Sequence, residues 1–199
     1  MSILWQKNSN FVPNLQFQAM SIVEIKDKTF QTLISEAEIK KRVKELAEHI
    51  NHDMKDKNPI FLSVLNGAFI FTADLLREVT IPCEVSFVKL ASYQGVISSG
   101  KVKEVIGLNV DIANRTVVIV EDIVDTGHTM RRMIDTLQLH HPASIHICTL
   151  FVKPKKLEEL LNIEYAAFEI PNGFIVGYGL DYDQQGRNLK EVYQAIKEG

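Results

Sequence analysis

The sequence predicts one α/β domain whose central sheet is mostly parallel and flanked by helices. The chain of 199 residues can bury a sizeable core without disulfides, and its 46% hydrophobic and 24% charged residues are typical of globular domains. Strand-like and helix-like segments alternate through the middle of the chain, with no internal repeat or linker between them. Because such alternation is typical of parallel strands with helices on the sheet faces, it predicts this fold class.

Two periodicities predict the elements in order. Ser35 followed by Glu38 is a capping-box pattern, and apolar residues then recur at helical spacing. Short apolar or alternating runs that end in turn residues predict strands. Helices are predicted over about residues 35–52, 68–78, 129–140 and 189–197. Strands are predicted over residues 60–65, 83–90, 117–120, 144–152, 165–169 and 174–178.

The first part of the chain is predicted to be an N-terminal extension, over residues 1–29, ahead of a domain over residues 30–199. It has no helical or strand period of useful length, and it lacks the apolar run of a signal peptide. Met20 is an alternative start. No stretch approaches the ~18 to 20 apolar residues that cross a bilayer. We therefore expect a cytoplasmic protein without a membrane partner.

The net charge of −3 argues against binding of nucleic acid or anionic membrane through the overall charge of the protein. The two cysteines, Cys83 and Cys148, lie in apolar strand-like runs and are predicted to be buried thiols. Neither a disulfide framework nor a cysteine metal site is expected.

The segment most informative about chemistry is residues 117–129. An apolar strand leads to Glu121, Asp122 and Asp125, and a Thr-Gly-His-Thr loop then opens a helix. Backbone N–H groups at a helix N-terminus favour an anion, and Gly127 lets the backbone approach a ligand closely. Carboxylates do not hold phosphate, so they are expected to hold sugar hydroxyls or magnesium on the same ligand. An ordinary strand–loop–helix junction, capped by Asp125 or Thr126, is the alternative interpretation.

The order of residues in this segment closely resembles the phosphoribosyl-pyrophosphate-binding signature of type I phosphoribosyltransferases. Further segments resemble the hypoxanthine–guanine phosphoribosyltransferases, and the match covers roughly residues 30–195. Asn66 stands where many members have Lys, and His128 stands where some members have Lys. The segments that carry this narrower resemblance are Leu65-Asn66-Gly67, Ser92-Tyr93, Lys153, residues 174–182 and Arg187.

The resemblance implies the type I phosphoribosyltransferase fold, with a small hood formed by the terminal segments. It implies transfer of a 5-phosphoribosyl group from phosphoribosyl pyrophosphate to nitrogen 9 of hypoxanthine or guanine. Asp125 is the expected general acid/base at purine nitrogen 7. Glu121 and Asp122 are expected to grip the ribose hydroxyls. The expected phosphate-binding residues are Asp125, Thr126, Gly127, His128 and Thr129.

The other roles follow from the same resemblance. Asn66, Gly67 and Arg187 are expected to contact pyrophosphate, and Ser92 and Tyr93 open the expected lid loop. The expected purine-binding residues are Lys153, Phe174, Ile175 and Asp181. Mg²⁺ is the expected cofactor, with Asp181, Glu121 and Asp122 as its ligands. A homodimer or homotetramer is expected.

Two alternatives remain open at this point. A regulatory, RNA-binding protein of the same fold would use the basic residues Lys153, Lys155, Lys156, Arg131 and Arg132. A phosphoacceptor receiver domain also has paired acids after its first strand, but it does not account for the Asp-Thr-Gly-x-Thr sequence.

Overall fold

The computed structural model describes residues 21–90 and 105–196, which form two sheets and three α-helices. The helices are α1 (Glu36–Asp53), α2 (Phe69–Glu78) and α3 (His128–Gln138), and a 3-10 helix covers Pro154–Lys156. The strands are β1 (Ile22–Ile25), β2 (Lys28–Ile34), β3 (Ile60–Val64), β4 (Glu84–Leu90), β5 (Val105–Ile106), β6 (Thr116–Val124), β7 (Ser144–Val152), β8 (Tyr165–Glu169), β9 (Ile175–Val176) and β10 (Val192–Ala195).

The larger sheet has the strand order β5-β4-β3-β6-β7-β8. All pairs from β4 to β8 are parallel, and only the short β5 runs antiparallel to its neighbour β4. The predicted mostly parallel sheet is therefore confirmed. The carboxyl ends of its five parallel strands all point to one edge, which is where ligands bind in open α/β sheets.

Helices cover both faces of this sheet. Side chains alternate along β3, so that Phe61 packs in the cluster that contains α1 and α2, while Ile60 and Leu62 pack in the cluster that contains α3. Every residue of β3 is buried. Burial on both faces explains why β3 reads as a continuous apolar run in the sequence.

The smaller sheet has the order β1-β2-β10-β9, and all of its pairs are antiparallel. It combines strands from both ends of the described chain, and Phe30 and Tyr193 are buried in its own small core. We call this sheet the hood. The expected hood of terminal segments is therefore confirmed.

The helix predicted over residues 189–197 is wrong, because β10 occupies Val192–Ala195 there. Val192 pairs with Ile34 and Tyr193 with Thr32, both on β2. These partners lie more than 150 residues away in the sequence. Pairing with a distant strand thus overrides the weak local helical pattern.

The sequence patterns also missed β1 and β2. The predicted boundary between residues 29 and 30 cuts through this hairpin, in which Ile25 faces Lys28 across a tight turn. Residues 22–29 are consequently part of the hood sheet.

Other expectations have mixed outcomes. Cys148 is buried as predicted, but Cys83 is exposed just before β4, so its predicted burial is wrong. Ser92 and Tyr93 of the expected lid lie outside the described residues. No helix in the described ranges is long and apolar enough to cross a membrane.

Candidate active site

Three neighbouring strands deliver the predicted site residues to one edge of the larger sheet. Asn66 and Gly67 follow β3, Asp125 follows β6, and Lys153 follows β7. Since β6 pairs with both β3 and β7, these three loops lie side by side. Parallel pairing thus places residues that are far apart in sequence around one region.

Glu121 and Asp122 lie within β6, because the strand continues to Val124 beyond the predicted residues 117–120. The backbone N–H of Asp122 donates to Glu121 Oε1 at 3.1 Å, and that of Ile123 donates to Asp122 Oδ1 at 2.7 Å. Burial raises the pKa of Glu121 well above its usual value, and the neighbouring Asp122 charge raises it further. Burial also raises the pKa of Asp122, although Arg187 opposes this shift. The two carboxyl groups therefore hold protons more readily than exposed ones do.

Gly67 packs directly against Asp122. A Cβ at Gly67 would overlap Asp122 Oδ2, and a Cβ at Gly179 would overlap the carbonyl oxygen of Gly67. The peptide bond between Leu65 and Asn66 is cis. The loop after β3 is thus in close contact with β6 and with the segment that leads to Asp181.

The predicted phosphate-binding residues 125–129, which we call the phosphate loop, join β6 to α3. Gly127 caps α3 with a φ of 89°, a left-handed conformation that other residues adopt at a cost. The first helical hydrogen bond runs from Arg131 N–H to Gly127 O at 2.8 Å. His128 and Thr129 are exposed in the first turn. The first backbone N–H groups of α3 have no partner within the helix, as an anion site requires.

Asp125 is held by two lysines at this edge. Lys153 Nζ lies 3.2 Å from Asp125 Oδ2, and Lys156 Nζ lies 3.3 Å from the same oxygen. The Lys153 side chain is only 7% exposed. Asp125 Oδ1 is buried and has no hydrogen-bond partner among the described residues. One oxygen is therefore fixed in place and the other is unpartnered, an arrangement that suits proton exchange with a ligand.

Arg187 and Asp181 form an ion pair at 2.6 Å on the side of the site nearest Gly67. The Arg187 guanidinium also donates to the Gly179 carbonyl at 2.7 Å, and Gln184 N–H donates to Asp181 Oδ2 at 2.8 Å. An open cavity of about 490 Å³ lies between this segment and β1, with Phe69 and Arg187 among its lining residues. The segment thus places a guanidinium beside the loop after β3.

Phe174 lies in the hood with half of its surface exposed. Its ring centroid is 6.2 Å from that of Phe30 and 5.6 Å from that of Tyr182, the latter in an edge-on arrangement. Ile175 is buried in β9, where it pairs with Gln194 of β10. Phe30 and Tyr182 hold Phe174 in place while about half of its surface stays accessible, as a stacking surface requires.

The predicted metal ligands do not form a dense cluster. In the described ranges, no group of three or more His, Cys, Asp or Glu side chains is arranged to hold a metal ion. Asp181 is occupied by Arg187, while Glu121 and Asp122 are in contact with each other. A metal ion at this site would therefore need ligands from the substrate as well, which is how Mg²⁺ binds in many phosphate sites.

Some partners in the site were not predicted. Lys156 has a recognisable signal, since residues three apart in a 3-10 helix lie on the same side, as Lys153 and Lys156 do. The others come together only through tertiary packing and have no such signal. They are Glu158 and Glu159 beside His128, and Phe30 and Tyr182 beside Phe174.

Comparison with known proteins gives consistent matches. The phosphoribosyl transferase domain family matches residues 32–183. A hypoxanthine phosphoribosyltransferase from Buchnera aphidicola is 44% identical over 171 residues, which is 84% of this chain and 97% of that protein. A hypoxanthine-guanine phosphoribosyltransferase from Aquifex aeolicus is 41% identical over 172 residues, which is 85% of this chain and 97% of that protein.

Solved structures agree with these sequences. A hypoxanthine-guanine phosphoribosyltransferase from Bacillus anthracis superposes with a TM-score of 0.77 at 38% identity, covering 87% of this chain and all of that one. A hypoxanthine phosphoribosyltransferase from Staphylococcus aureus gives a TM-score of 0.77 at 32% identity, covering 83% of this chain and 90% of that one.

Proposed function

Because this chain belongs to the phosphoribosyltransferase family, within its hypoxanthine phosphoribosyltransferase branch, we propose that it is a purine salvage enzyme. It transfers the 5-phosphoribosyl group of phosphoribosyl pyrophosphate to nitrogen 9 of hypoxanthine or guanine. The products are the nucleoside monophosphate and pyrophosphate. Positive charge builds on the ribose ring as the anomeric bond breaks, and negative charge builds on the departing pyrophosphate, so catalysis requires stabilisation of both.

The observation that carries this proposal is the contact between Asp125 and the buried Lys153. The purine lies between them and Phe174 in the proposed complex. Asp125 exchanges a proton at purine nitrogen 7, and the Lys153 ammonium donates a hydrogen bond to the 6-oxo group. An amino group at that position, as in adenine, is itself a donor and is rejected. Because the Lys153 side chain is mostly buried, an adenine amino group facing its ammonium would lose its hydrogen bonds to water without gaining an acceptor, which makes the rejection strong.

The remaining side chains orient the sugar donor. Glu121 and Asp122 accept hydrogen bonds from the ribose hydroxyls, and the phosphate loop binds the 5′-phosphate through its N–H groups. Arg187, together with the backbone at Asn66 and Gly67, binds the pyrophosphate. Glycine at position 67 lets this loop pack against Asp122, because a Cβ there would overlap the Asp122 carboxylate.

Mg²⁺ is the proposed cofactor, held by Asp181, Glu121 or Asp122 together with substrate oxygens. Carboxylate oxygens are ligands that Mg²⁺ accepts, and in phosphate sites the ion commonly takes further ligands from the substrate. When bound, the ion neutralises charge on the pyrophosphate. The protein residues named above orient phosphoribosyl pyrophosphate, and Asp125 exchanges the proton at purine nitrogen 7.

An initial-rate assay tests the proposed function. The chain is incubated with phosphoribosyl pyrophosphate, Mg²⁺ and each of hypoxanthine, guanine, xanthine and adenine. We expect nucleotide formation with hypoxanthine or guanine and none with adenine. Equal rates with adenine would contradict the role of Lys153, and no transfer with any of the four purines would contradict the proposed function.

The RNA-binding alternative is not favoured. Three of the five basic residues on which it depends are engaged within the chain, since Lys153 and Lys156 contact Asp125 and Arg131 donates to the Leu160 carbonyl. A filter-binding titration with RNA over a range of salt concentrations tests it, because true phosphate contacts weaken steeply with salt.

Self-association and location complete the proposal. We expect a homodimer or homotetramer. Large apolar side chains are exposed on two elements that flank β3, namely Phe69 on α2 and Val85 and Phe87 on β4. Light scattering coupled to gel filtration tests this, and a Phe87→Ser variant should shift the equilibrium towards the monomer. The cytoplasm is the proposed location, which cell fractionation tests.

A further inference from the structure

His128 lies between two carboxylates at the rim of the phosphate loop. Its Nδ1 is 2.8 Å from Glu159 Oε1, and its Nε2 is 2.8 Å from Glu158 Oε2. Both glutamates come from residues 157–161, the segment that follows the 3-10 helix. We call the three side chains the histidine clamp.

The geometry of the clamp determines the protonation state of the ring. A carboxylate accepts hydrogen bonds and donates none, so each ring nitrogen of His128 must carry a proton to make its contact. A neutral imidazole carries only one N–H. The arrangement therefore holds His128 as the imidazolium. In agreement with this, the hydrogen bonds to Glu159 and Glu158 raise the pKa of His128.

The clamp is one of several contacts between the phosphate loop and the 157–161 segment. The Thr126 carbonyl accepts hydrogen bonds from the backbone N–H groups of Glu158 and Glu159, at 3.0 and 3.3 Å. A Cβ at Gly127 would lie 2.9 Å from the Leu161 side chain. The two segments are therefore packed without space between them, and a charge change on one acts directly beside the other.

The charges around the ring explain why its protonation matters. Glu158 and Glu159 face it from the 157–161 segment, and Arg131 of α3 lies 3.9 Å from Glu159. With His128 protonated, the formal charges of these four groups sum to zero. With His128 neutral, they sum to −1 beside the loop that receives a phosphate dianion. Asp125, Lys153 and Lys156 form the adjoining ion cluster.

We propose that Glu158 and Glu159 are positioning residues that keep His128 protonated at the rim of the phosphate loop, so that the loop retains this positive charge to a higher pH than an exposed histidine would allow. Affinity for phosphoribosyl pyrophosphate then falls when His128 loses its proton in alkaline solution. This inference rests on the proposed function, because it concerns the phosphate site of that reaction. It adds a specific pH dependence and two residues that do not touch the reacting atoms.

The sign of the pH dependence follows from the raised pKa. The clamp is complete below the usual pKa of histidine and is lost as the pH rises through the higher value that His128 has in the folded protein. Without the glutamates, the same loss begins near the usual pKa, at about 6.5. The charge on His128 therefore differs most between the protein with both glutamates and the protein without them when the pH lies between these two pKa values.

Two measurements on the full chain test the inference. In the first, the ring signals of the six histidines are titrated by NMR in the free protein, and a His128→Asn variant identifies the His128 signal. We expect a raised pKa in the unsubstituted protein and a return to the usual value in the Glu158→Gln/Glu159→Gln double variant. Glu48→Gln, an exposed substitution on α1, is the matched control and should change nothing.

In the second measurement, the affinity for phosphoribosyl pyrophosphate is followed by calorimetry across the same pH range. In the unsubstituted protein, affinity should fall about three- to tenfold as His128 loses its proton, in line with the modest strength of exposed ion pairs. The double variant lacks two negative charges beside the loop, so its affinity should be no lower, but this fall should begin near the usual pKa of histidine, at about 6.5. A His128→Lys variant should bind with no such loss over the whole range, since its charge does not titrate there.

The outcomes separate this inference from the function on which it rests. The usual histidine pKa for His128 in the unsubstituted protein would overturn the inference. A His128→Asn variant whose affinity depends on pH in the same way as that of the unsubstituted protein would overturn it as well. Transfer activity measured in parallel tests the function alone. An active enzyme with the usual pKa at His128 would therefore contradict the proposed role of the clamp but not the proposed function. An inactive chain with a raised pKa at His128 would contradict the proposed function but not the protonation of the clamp.

Discussion

Asp125 has a carboxylate whose two oxygens lie in different surroundings. Oδ2 contacts both Lys153 and Lys156, whereas Oδ1 is buried and unpartnered among the described residues. The lysines orient the carboxylate, and Oδ1 keeps an unused capacity to accept a hydrogen bond. This asymmetry supports the proposed role in proton exchange.

Replacing Asp125 with Asn tests this role. Asn keeps the size and the amide oxygen but cannot exchange a proton, so we expect turnover to fall by about 10²- to 10⁴-fold with little change in substrate affinity. Steady-state kinetics with hypoxanthine measure both quantities. Asp135→Asn, an exposed substitution on α3, is the control. An unchanged turnover in Asp125→Asn would rule out the acid/base role.

Lys153 is expected to set the choice of purine. Its side chain is nearly buried, and its ammonium lies beside Asp125 at the edge of the site. Because Lys153→Ala removes the proposed donor to the 6-oxo group, it should reduce kcat/KM for hypoxanthine by about 10²-fold or more. The ratio of rates for hypoxanthine and adenine should approach one. Competition assays with the two bases measure this ratio. Lys155→Ala, an exposed substitution in the same 3-10 helix, serves as the comparison, and preserved discrimination in Lys153→Ala would contradict the assignment.

The partly buried carboxyl pair of Glu121 and Asp122 predicts a cost in stability at alkaline pH. Burial raises the pKa of Glu121, so its contribution to folding is favourable at low pH and is lost as the pH rises from the usual carboxyl range through the folded-state value. Glu121→Gln removes the charge and should raise the free energy of unfolding at pH 8 by on the order of 1 kcal/mol. The gain should shrink towards pH 5.

Urea unfolding at several pH values checks this expectation, with Glu48→Gln on the exposed face of α1 as the control. A gain that is the same at pH 5 and pH 8 would show that charge burial is not its cause. The variant should also lose activity, since the same carboxylate is proposed to bind the ribose.

Among the elements, α1 is the one whose start the sequence specifies most directly. Ser35 caps it by accepting a hydrogen bond from the Glu38 backbone N–H at 3.2 Å, and the predicted apolar positions are all buried. Local chemistry and tertiary packing agree here, so the helix was predictable. The sequence did not predict the hood strands β1, β2 and β10, because their partner strands are distant in the chain or their alternating patterns are short.

Removing the cap should destabilise the whole domain. Ser35→Ala loses the acceptor for the Glu38 N–H and should cost about 1 kcal/mol in the free energy of unfolding. Ser35→Thr keeps the hydroxyl and should cost much less. Urea titrations followed by circular dichroism measure both. Equal losses for Ala and Thr would mean that packing at this buried position, and not the cap, determines the effect.

At the scale of the whole molecule, the hood depends on the C-terminal strand. β10 pairs with β2 on one side and with β9 on the other, and Ala195 N–H donates to the Phe174 carbonyl at 2.9 Å. Val192 also belongs to the main core. One short strand thus joins the two sheets and supports the proposed purine-stacking residue.

A truncated chain tests this dependence. A chain that ends at Lys190 lacks β10, and we expect kcat/KM for hypoxanthine to fall by about 10²-fold or more, because misplacement of binding groups by about 1 Å has that effect. Limited proteolysis should cut the truncated chain within residues 170–190. A chain that ends at Ile196 keeps β10 and is the control, and full activity in the shorter chain would contradict the role of the hood strand.

The alternation of strands and helices and the candidate phosphate loop were predictable from the sequence alone, because each depends on residues that are close together in the chain, and the alternation in turn predicts a parallel sheet. The length of β6, the hood strands and the contacts at Asp125 and His128 were decided by the tertiary structure. Each of these requires two or more segments that are distant in sequence to meet. A periodicity records which face of an element is buried, but it does not record which side chain of another element lies opposite. The residues expected to bind substrate could therefore be named from the chain, while their ion pairs and protonation states required the fold.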